Sequence, residues 1–298
     1  MKIAYIERRF SDERLRLIDI CNAIIETYQA QGYRLTLRQL YYQLVSRDLI
    51  ENTERSYKRI GDLVNDARLA GLIDWLAIED RGRSLKGLSH WEDPADIIRS
   101  ARHGYRLDKW AGQPYRPEVW IEKAALEGVI AGACNQLDVP YFACRGYNSQ
   151  SEEWEAARRL QCYRDAGQTP IIFYLGDHDP SGIDMTRDHR DRLTMFMGGV
   201  EVDRIALNMP QIEEYAPPPN PAKEIDSRYA SYAAEYGTNS WELDALEPSV
   251  IGDLIRAAVL AYRDDDLYEA MVEQEEEHKR VLEAAERRWH EVEKFLSR

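Results

Sequence analysis

The stretch YLGDHDPSG (174–182) follows the apolar run PIIF (170–173). A buried strand that ends in two aspartates one residue apart sets the problem. In an extended chain, residues i and i+2 point the same way, so Asp177 and Asp179 place two carboxylates side by side at a strand's C-terminal end. Like charges so close need a shared proton, a basic partner or a metal ion. The bland reading is a turn, since Asp, Pro, Ser and Gly all favour one. His178, between the two, points to the other face and reads as a packed or solvated side chain.

The surrounding segments decide between these readings. PEVWIE (117–122), VPYFACRG (139–146), TPIIFYLG (169–176) and EVDRIAL (201–207) read as strands. Residues 123–137, 151–167 and 181–197 between them read as helices. Strands alternating with helices predict a parallel sheet flanked by helices, with ligands gathered at the strands' C-terminal ends. The first strand ends in Glu122, and a parallel sheet brings that end close to Asp177 and Asp179. Three hard oxygen donors without a His/Cys set favour Mg2+ over zinc, and Mg2+ leaves positions open for phosphate oxygens.

The residues before this part read differently. Apolar residues recur at helical spacing from Asp12 to Gln31, along TLRQLYYQLV (36–45) after a Thr36 cap, and from Thr53 to Leu69. LIDWLAIEDRGRSLKGLSHW (72–91) reads as two short strands around a basic tip. Three helices and a ribbon are the order of a winged helix-turn-helix, in which a helix enters a DNA groove and the wing touches phosphates. AGQPYRP (111–117) reads as a linker, which predicts a winged-helix domain over 1–110, an α/β domain over 111–250 and a helical segment over 251–298. The charged tail from Asp264 onward reads either as a coiled coil or as an amphipathic helix packed on its own chain.

Charge is divided along the same line. The net charge is −14, yet residues 1–110 hold 19 Lys/Arg against 17 Asp/Glu, leaving 20 against 36 for the remainder. A nucleic-acid footprint is therefore expected in the first part. Arg55, Lys58, Arg59 and Arg68 on the third helix, Arg81, Arg83 and Lys86 at the wing, and Arg145 after the second strand are the candidate contacts. Tyr147 and Ser149 are expected to line the site. Lys223 and Arg228 are weaker candidates, and Glu242 and Asp244 in WELDAL (241–246) read as outer metal ligands or surface acids. Cys21, Cys134, Cys144 and Cys162 have no CxxC spacing and read as reduced, mostly buried thiols. There is no apolar run near the roughly 18 residues of a membrane span and no secretory-type N-terminus, so a cytoplasmic, or nucleoid-associated, protein is expected.

VWIEKAALEG (119–128), CRGYNSQ (144–150) and YLGDHDPSG together resemble the Toprim domain of topoisomerases, primases and some nucleases. A winged helix before it resembles the A subunit of topoisomerase VI and the related meiotic double-strand-break transesterase. The resemblance runs from about Leu35 to Ile183, more loosely through WELDAL; prophage-type Toprim proteins share the layout, which leaves the activity open. It implies Mg2+-dependent cleavage of double-stranded DNA by a tyrosine, a 5′ tyrosyl–DNA product, a homodimer and a separate ATPase partner. TLRQLYYQL (36–44) is similar to the tyrosine motif, and the second tyrosine, Tyr42, matches the catalytic position. On the helical wheel Tyr41 shares the core stripe, whereas Tyr42 lies about 100° further round, beside Arg38 one turn earlier. Arg38 is then placed to stabilise a phenolate, and Glu122 has a catalytic as well as a metal-binding role. Two rival expectations stay open: a Toprim metal nuclease that activates water, with Tyr42 structural, and a non-catalytic winged-helix DNA-binding protein.

Overall fold

In the computed structural model, which describes residues 1–78 and 88–297, three capped helices open the chain. Ser11 caps α1 (Asp12–Ala30), Thr36 and Gln39 form a reciprocal capping box on α2 (Leu37–Val45), and Thr53 caps α3 (Glu54–Leu69). Each cap oxygen satisfies an N–H that the first helical turn leaves unpaired. Ile18, Cys21 and Ile25 of α1, Leu40 and Leu44 of α2, and Ile60 and Leu63 of α3 form one core.

Of the ribbon expected over 72–91, residues 79–87 lie outside the described residues. Residues 72–78 form turns, with a single bridge from Ile78 to Leu35. Asp74 accepts the Leu76 N–H, and Arg68 donates to the Trp75 and Ile78 carbonyls, so local bonds take up groups that a strand would have used. Arg81, Arg83 and Lys86 lie outside the described residues. A helix not foreseen, α4 (Pro94–Gly104), follows; Asp93 caps it and Pro94 fills its first turn, a start signal present in the sequence.

The expected linker is packed. The Trp110 indole is fully buried in the next core and donates to the Leu137 carbonyl, and Pro114 accepts the Thr169 N–H. Strand β1 (Tyr115–Ile121) therefore begins within it. With β2 (Tyr141–Ala143), β3 (Thr169–Leu175) and β4 (Glu201–Ala206) it forms a wholly parallel sheet in the order β2-β1-β3-β4. β1 and β3 are central and buried on both faces, so β3 reads as a nearly continuous apolar run, whereas β1 also buries Arg116 and Glu118, paired with Asp108 and Arg159. β2 is shorter than expected because Arg145 and Gly146 both take positive φ and turn the chain away.

Alternation along the strands assigns the two faces. Val119, Ile121, Phe173 and Leu175 pack on α5 (Glu127–Leu137) and, from the far end of the chain, on α10 (Pro248–Leu260). Trp120, Ile172 and Tyr174 pack on α6 (Gln150–Asp165) and α7 (Pro180–Met197). Between β4 and α10 lie α8 (Met209–Tyr215), the two-residue strands β5 (Asn220–Pro221) and β6 (Asn239–Ser240), and α9 (Tyr229–Tyr236). Residues 241–246 contain a 3-10 turn, Leu243–Ala245.

The tail is two helices, α11 (Asp265–Arg287) and α12 (Trp289–Leu296), interrupted at Arg288. α11 lies antiparallel on α4: Arg99 and Arg102 pair with Glu286, Tyr105 meets His278 at 2.7 Å, and Lys109 pairs with Glu275 at 2.6 Å. This is the amphipathic helix packed on its own chain. Cys21, Cys134 and Cys144 are buried thiols and Cys162 is exposed. Among the described residues no helix is long and apolar enough to cross a membrane.

Candidate functional site

The β3 strand ends at Leu175, and the next residues form a tightly held turn. Asp177 and Asp179 flank His178, whose backbone exchanges hydrogen bonds with Trp241 at 2.8 and 2.9 Å. Asp179 caps α7, its Oδ1 accepting from the Gly182 N–H at 2.6 Å and from the Ser181 hydroxyl at 3.0 Å. Glu122 enters from the end of β1, and its Oε2 accepts the Asp177 N–H at 2.8 Å. The sheet therefore brings the ends carrying Glu122 and Asp177 into contact. The turn requires glycine twice: a Cβ on Gly182 would lie 2.2 Å from the Asp177 carbonyl oxygen, and one on Gly176 2.9 Å from Glu122 Oε2.

Arg204 of β4 closes the turn from below. Its guanidinium donates to the carbonyls of Gly176, Asp177 and Gly182 at 2.6–3.0 Å, and to Thr186. His178 is buried among Tyr232, Tyr236 and Trp241, with Nδ1 2.9 Å from the Tyr232 hydroxyl. Burial, then the Arg204 charge, push its pKa down to about 4, so it is a neutral packed side chain at neutral pH.

The carboxylates carry the electrostatic load of this geometry. Burial, followed by the charges of Asp177 and Asp179, pushes Glu122 up to about 7. Burial also raises Asp177, against the opposing pull of Lys123. The Lys123 ammonium lies 2.8 Å from Asp177 Oδ2, 2.9 Å from Glu242 and 3.2 Å from Asp244. The other Asp177 oxygen accepts the Leu243 N–H at 2.8 Å. Residues 241–246 thus lie directly on the DHD turn, and Glu242 and Asp244 belong to the site rather than to the outer surface.

The same two acids reach the tyrosine helix. Arg38 pairs with Glu242 at 2.5 Å and Asp244 at 3.1 Å, and donates to the Tyr42 hydroxyl at 3.2 Å. Burial raises Glu242, but Lys123, Arg38 and the Tyr42 hydroxyl outweigh it and hold Glu242 down at about 2. Asp244, more deeply buried, is pushed up to about 6 despite Lys123 and Arg38. Tyr42 differs from its wheel position: it is buried, at 4% exposure, like Tyr41, in a core that Ala245 of the 241–246 segment also joins. Burial, then Asp244 and Glu242, raise its hydroxyl pKa, with Arg38 opposing. A cavity of about 280 Å³ lined by Arg38, Tyr41, Tyr42, Asn52, Tyr57 and Asn220 adjoins it.

The remaining expected contacts divide. Arg55, Arg59 and Arg145 are exposed and make no ion pair among the described residues, while Lys58 is exposed and paired with Glu54. Arg68 turns inward: it holds the 72–78 segment and stacks 5.0 Å over Trp75, which removes it from a phosphate-facing surface. Tyr147 donates to Asp184 at 2.8 Å beneath Arg228, and Ser149 caps α6, so Ser149 is used in helix capping. Lys223 is exposed. Lys123 and Arg204 were not foreseen. Lys123 is adjacent to Glu122 in sequence, but nothing in VWIEKAALEG signals which acids it meets. Arg204 carries one signal, an arginine inside a buried strand.

Among the described residues no three His, Cys, Asp or Glu side chains are already gathered as a metal centre. The donor chemistry nevertheless fits a hard divalent cation. Of the five carboxylates Glu122, Asp177, Asp179, Glu242 and Asp244, the last two and Asp177 pair with Lys123 or Arg38. Burial first, then the Asp177 and Asp179 charges, raise Glu122 with Lys123 opposing, and a divalent cation would offset those charges. The chain matches no protein-family model and no curated protein.

Proposed function

We propose that this chain cleaves double-stranded DNA by Mg2+-dependent phosphoryl transfer, with Tyr42 as the nucleophile, in the manner of the topoisomerase VI A subunit. One observation carries the reading. A continuous chain of charged contacts runs from the Tyr42 hydroxyl through Arg38, Glu242 and Asp244, and Lys123 to Asp177. Tyrosine and acids are therefore linked within one chain.

Glu122, Asp177 and Asp179 would hold the ion, which when bound supplies neutralisation of the charge developing on the phosphate and leaving oxygen. The Tyr42 oxygen attacks phosphorus, the bond to the 3′ oxygen breaks, and the product is a 5′ phosphotyrosine with a free 3′ hydroxyl. Arg38 is within reach of the phenol oxygen and stabilises it as its proton leaves. With Glu242 and Asp244 against it the phenol stays protonated. Cleavage therefore requires DNA, or a second chain, to draw residues 241–246 away from Tyr42. Arg55, Arg59 and Arg145 supply exposed charge for the DNA backbone. A homodimer and a separate ATPase partner follow from the same resemblance.

A second reading is favoured by the burial of Tyr42 and its raised pKa: a metal nuclease in which the same acids activate water and Tyr42 is structural. Incubation of supercoiled DNA with the protein and Mg2+, with Tyr42→Phe and Asp177→Asn alongside, tests both. Loss of cleavage in both variants supports the tyrosine. Loss in Asp177→Asn alone supports water. Unchanged cleavage by Asp177→Asn rejects both.

A further inference from the structure

Two-metal phosphoryl-transfer sites place ions roughly 3.5–4 Å apart, each sharing a carboxylate, to serve the attacking and leaving oxygens. Here one position beside Asp177 is already filled from within the chain. Lys123 Nζ contacts three carboxylates from two separate segments at 2.8, 2.9 and 3.2 Å, and its side chain is only 21% exposed. An ammonium withdrawn from water is costly unless oxygen partners surround it, and these three do so. Both carboxylate oxygens of Asp177 are engaged towards this set, Oδ2 by the Lys123 ammonium and Oδ1 by the Leu243 N–H. Glu122 meets Asp177 through its backbone N–H instead.

We infer that Lys123 is a built-in cation that occupies the second metal position, so that each chain holds one divalent ion rather than two. This rests on the metal reading of Glu122, Asp177 and Asp179. The set Asp177, Glu242 and Asp244 has the hard oxygen donors of a divalent site, and a Mg2+ ion there would need oxygens at roughly 2.0–2.1 Å around the space that Nζ now fills. The lysine is joined to the same strand end as Glu122. Arg38 contributes a second fixed charge to Glu242 and Asp244 from the tyrosine helix, at 2.5 and 3.1 Å. One divalent ion, Lys123, Arg38 and the underlying Arg204 then balance the five carboxylates, and the lysine cannot diffuse away when the chain is short of metal.

The test counts ions directly. Mn2+ is titrated into the full-length protein without DNA, and free Mn2+ is followed by electron paramagnetic resonance. The wild type is expected to bind one Mn2+ per chain with no Mn–Mn coupling. Lys123→Met, which keeps the length of the side chain and removes the charge, is expected to bind two, and Lys123→Arg one. Thermal melts confirm which variants fold; if Lys123→Met does not, Lys123→Gln is counted in its place. Two coupled ions on the wild type, or one on a folded Lys123→Met, overturn the role of Lys123 and leave the metal reading standing. No ion on any form overturns both.

Discussion

Arg38 of α2 and Glu242, 204 residues later, are joined by a 2.5 Å ion pair. That pair ties the helical N-terminal part to the sheet, and it ties the tyrosine to the acids. Glu242→Gln should therefore do two things. It should weaken the hold of residues 241–246 on α2, seen as faster amide hydrogen exchange there. It should also lower the pKa of Tyr42, because one of the carboxylates raising it is gone; ultraviolet titration of the phenol, compared with Tyr42→Phe, checks this.

Stability should fall as pH rises towards neutrality. The Glu122 carboxyl titrates at about 7 in the fold against about 4.3 unfolded. Between these values the folded state binds more protons, so its stability is greatest at the acid end and is lost as pH rises through the folded pKa. Asp244, at about 6, acts in the same direction. Glu242, at about 2, acts in the opposite direction below about pH 4, where its contribution is lost as pH falls. Urea denaturation from pH 4 to pH 8 should show a decline on the order of 4 kcal/mol or more. Glu122→Gln should flatten it, and Mg2+ should do the same by stabilising the ionised form.

Arg204 should matter as much as the acids, though it is placed only to position them. Removing its guanidinium in Arg204→Met leaves several turn carbonyls without their donor, at a cost of about 2–4 kcal/mol. Cleavage should be lost, and the Mn2+ titration should show weaker binding, because Asp177 and Asp179 are no longer held. Arg204→Lys should restore part of the stability and little of the metal affinity.

DNA binding should separate Arg55 and Arg59 from Arg68. Ala at either of the first two should weaken binding to all sequences alike and make the plot of log K against log salt shallower by roughly 0.9 for each phosphate no longer neutralised. Arg68→Ala should instead lower the melting temperature, since its guanidinium holds the Trp75 and Ile78 carbonyls. Fluorescence anisotropy at several salt concentrations, alongside thermal melts, distinguishes these outcomes.

The sheet was legible from the sequence because β3 is almost wholly apolar, β1 ends in the apolar run VWI (119–121), and both alternate with helical segments, and Glu122 and Asp177 meet where a parallel sheet requires. Other features were hidden for physical reasons. Tyr42 is buried in a core that residues from other elements, Ala245 about two hundred residues away among them, complete, and a helical wheel knows only its own helix. AGQPYRP (111–117) has a linker-like composition, yet Gln113 within it is buried and its side chain donates to the Asp264 carbonyl. Residues 72–78 have strand-like composition, but side-chain bonds from Asp74 and Arg68 draw them into turns. Lys123 pairs with acids that come from a segment more than one hundred residues later, so only the tertiary structure shows them together.

The most direct test of the central claim is the mass of one peptide. After reaction with DNA and Mg2+, nuclease digestion and trypsin, the peptide QLYYQLVSR (39–47) is analysed by tandem mass spectrometry. The account predicts a nucleotide remnant on that peptide, located to Tyr42 and missing in Asp177→Asn. Cleaved DNA with the peptide unmodified would contradict it and assign the chemistry to water.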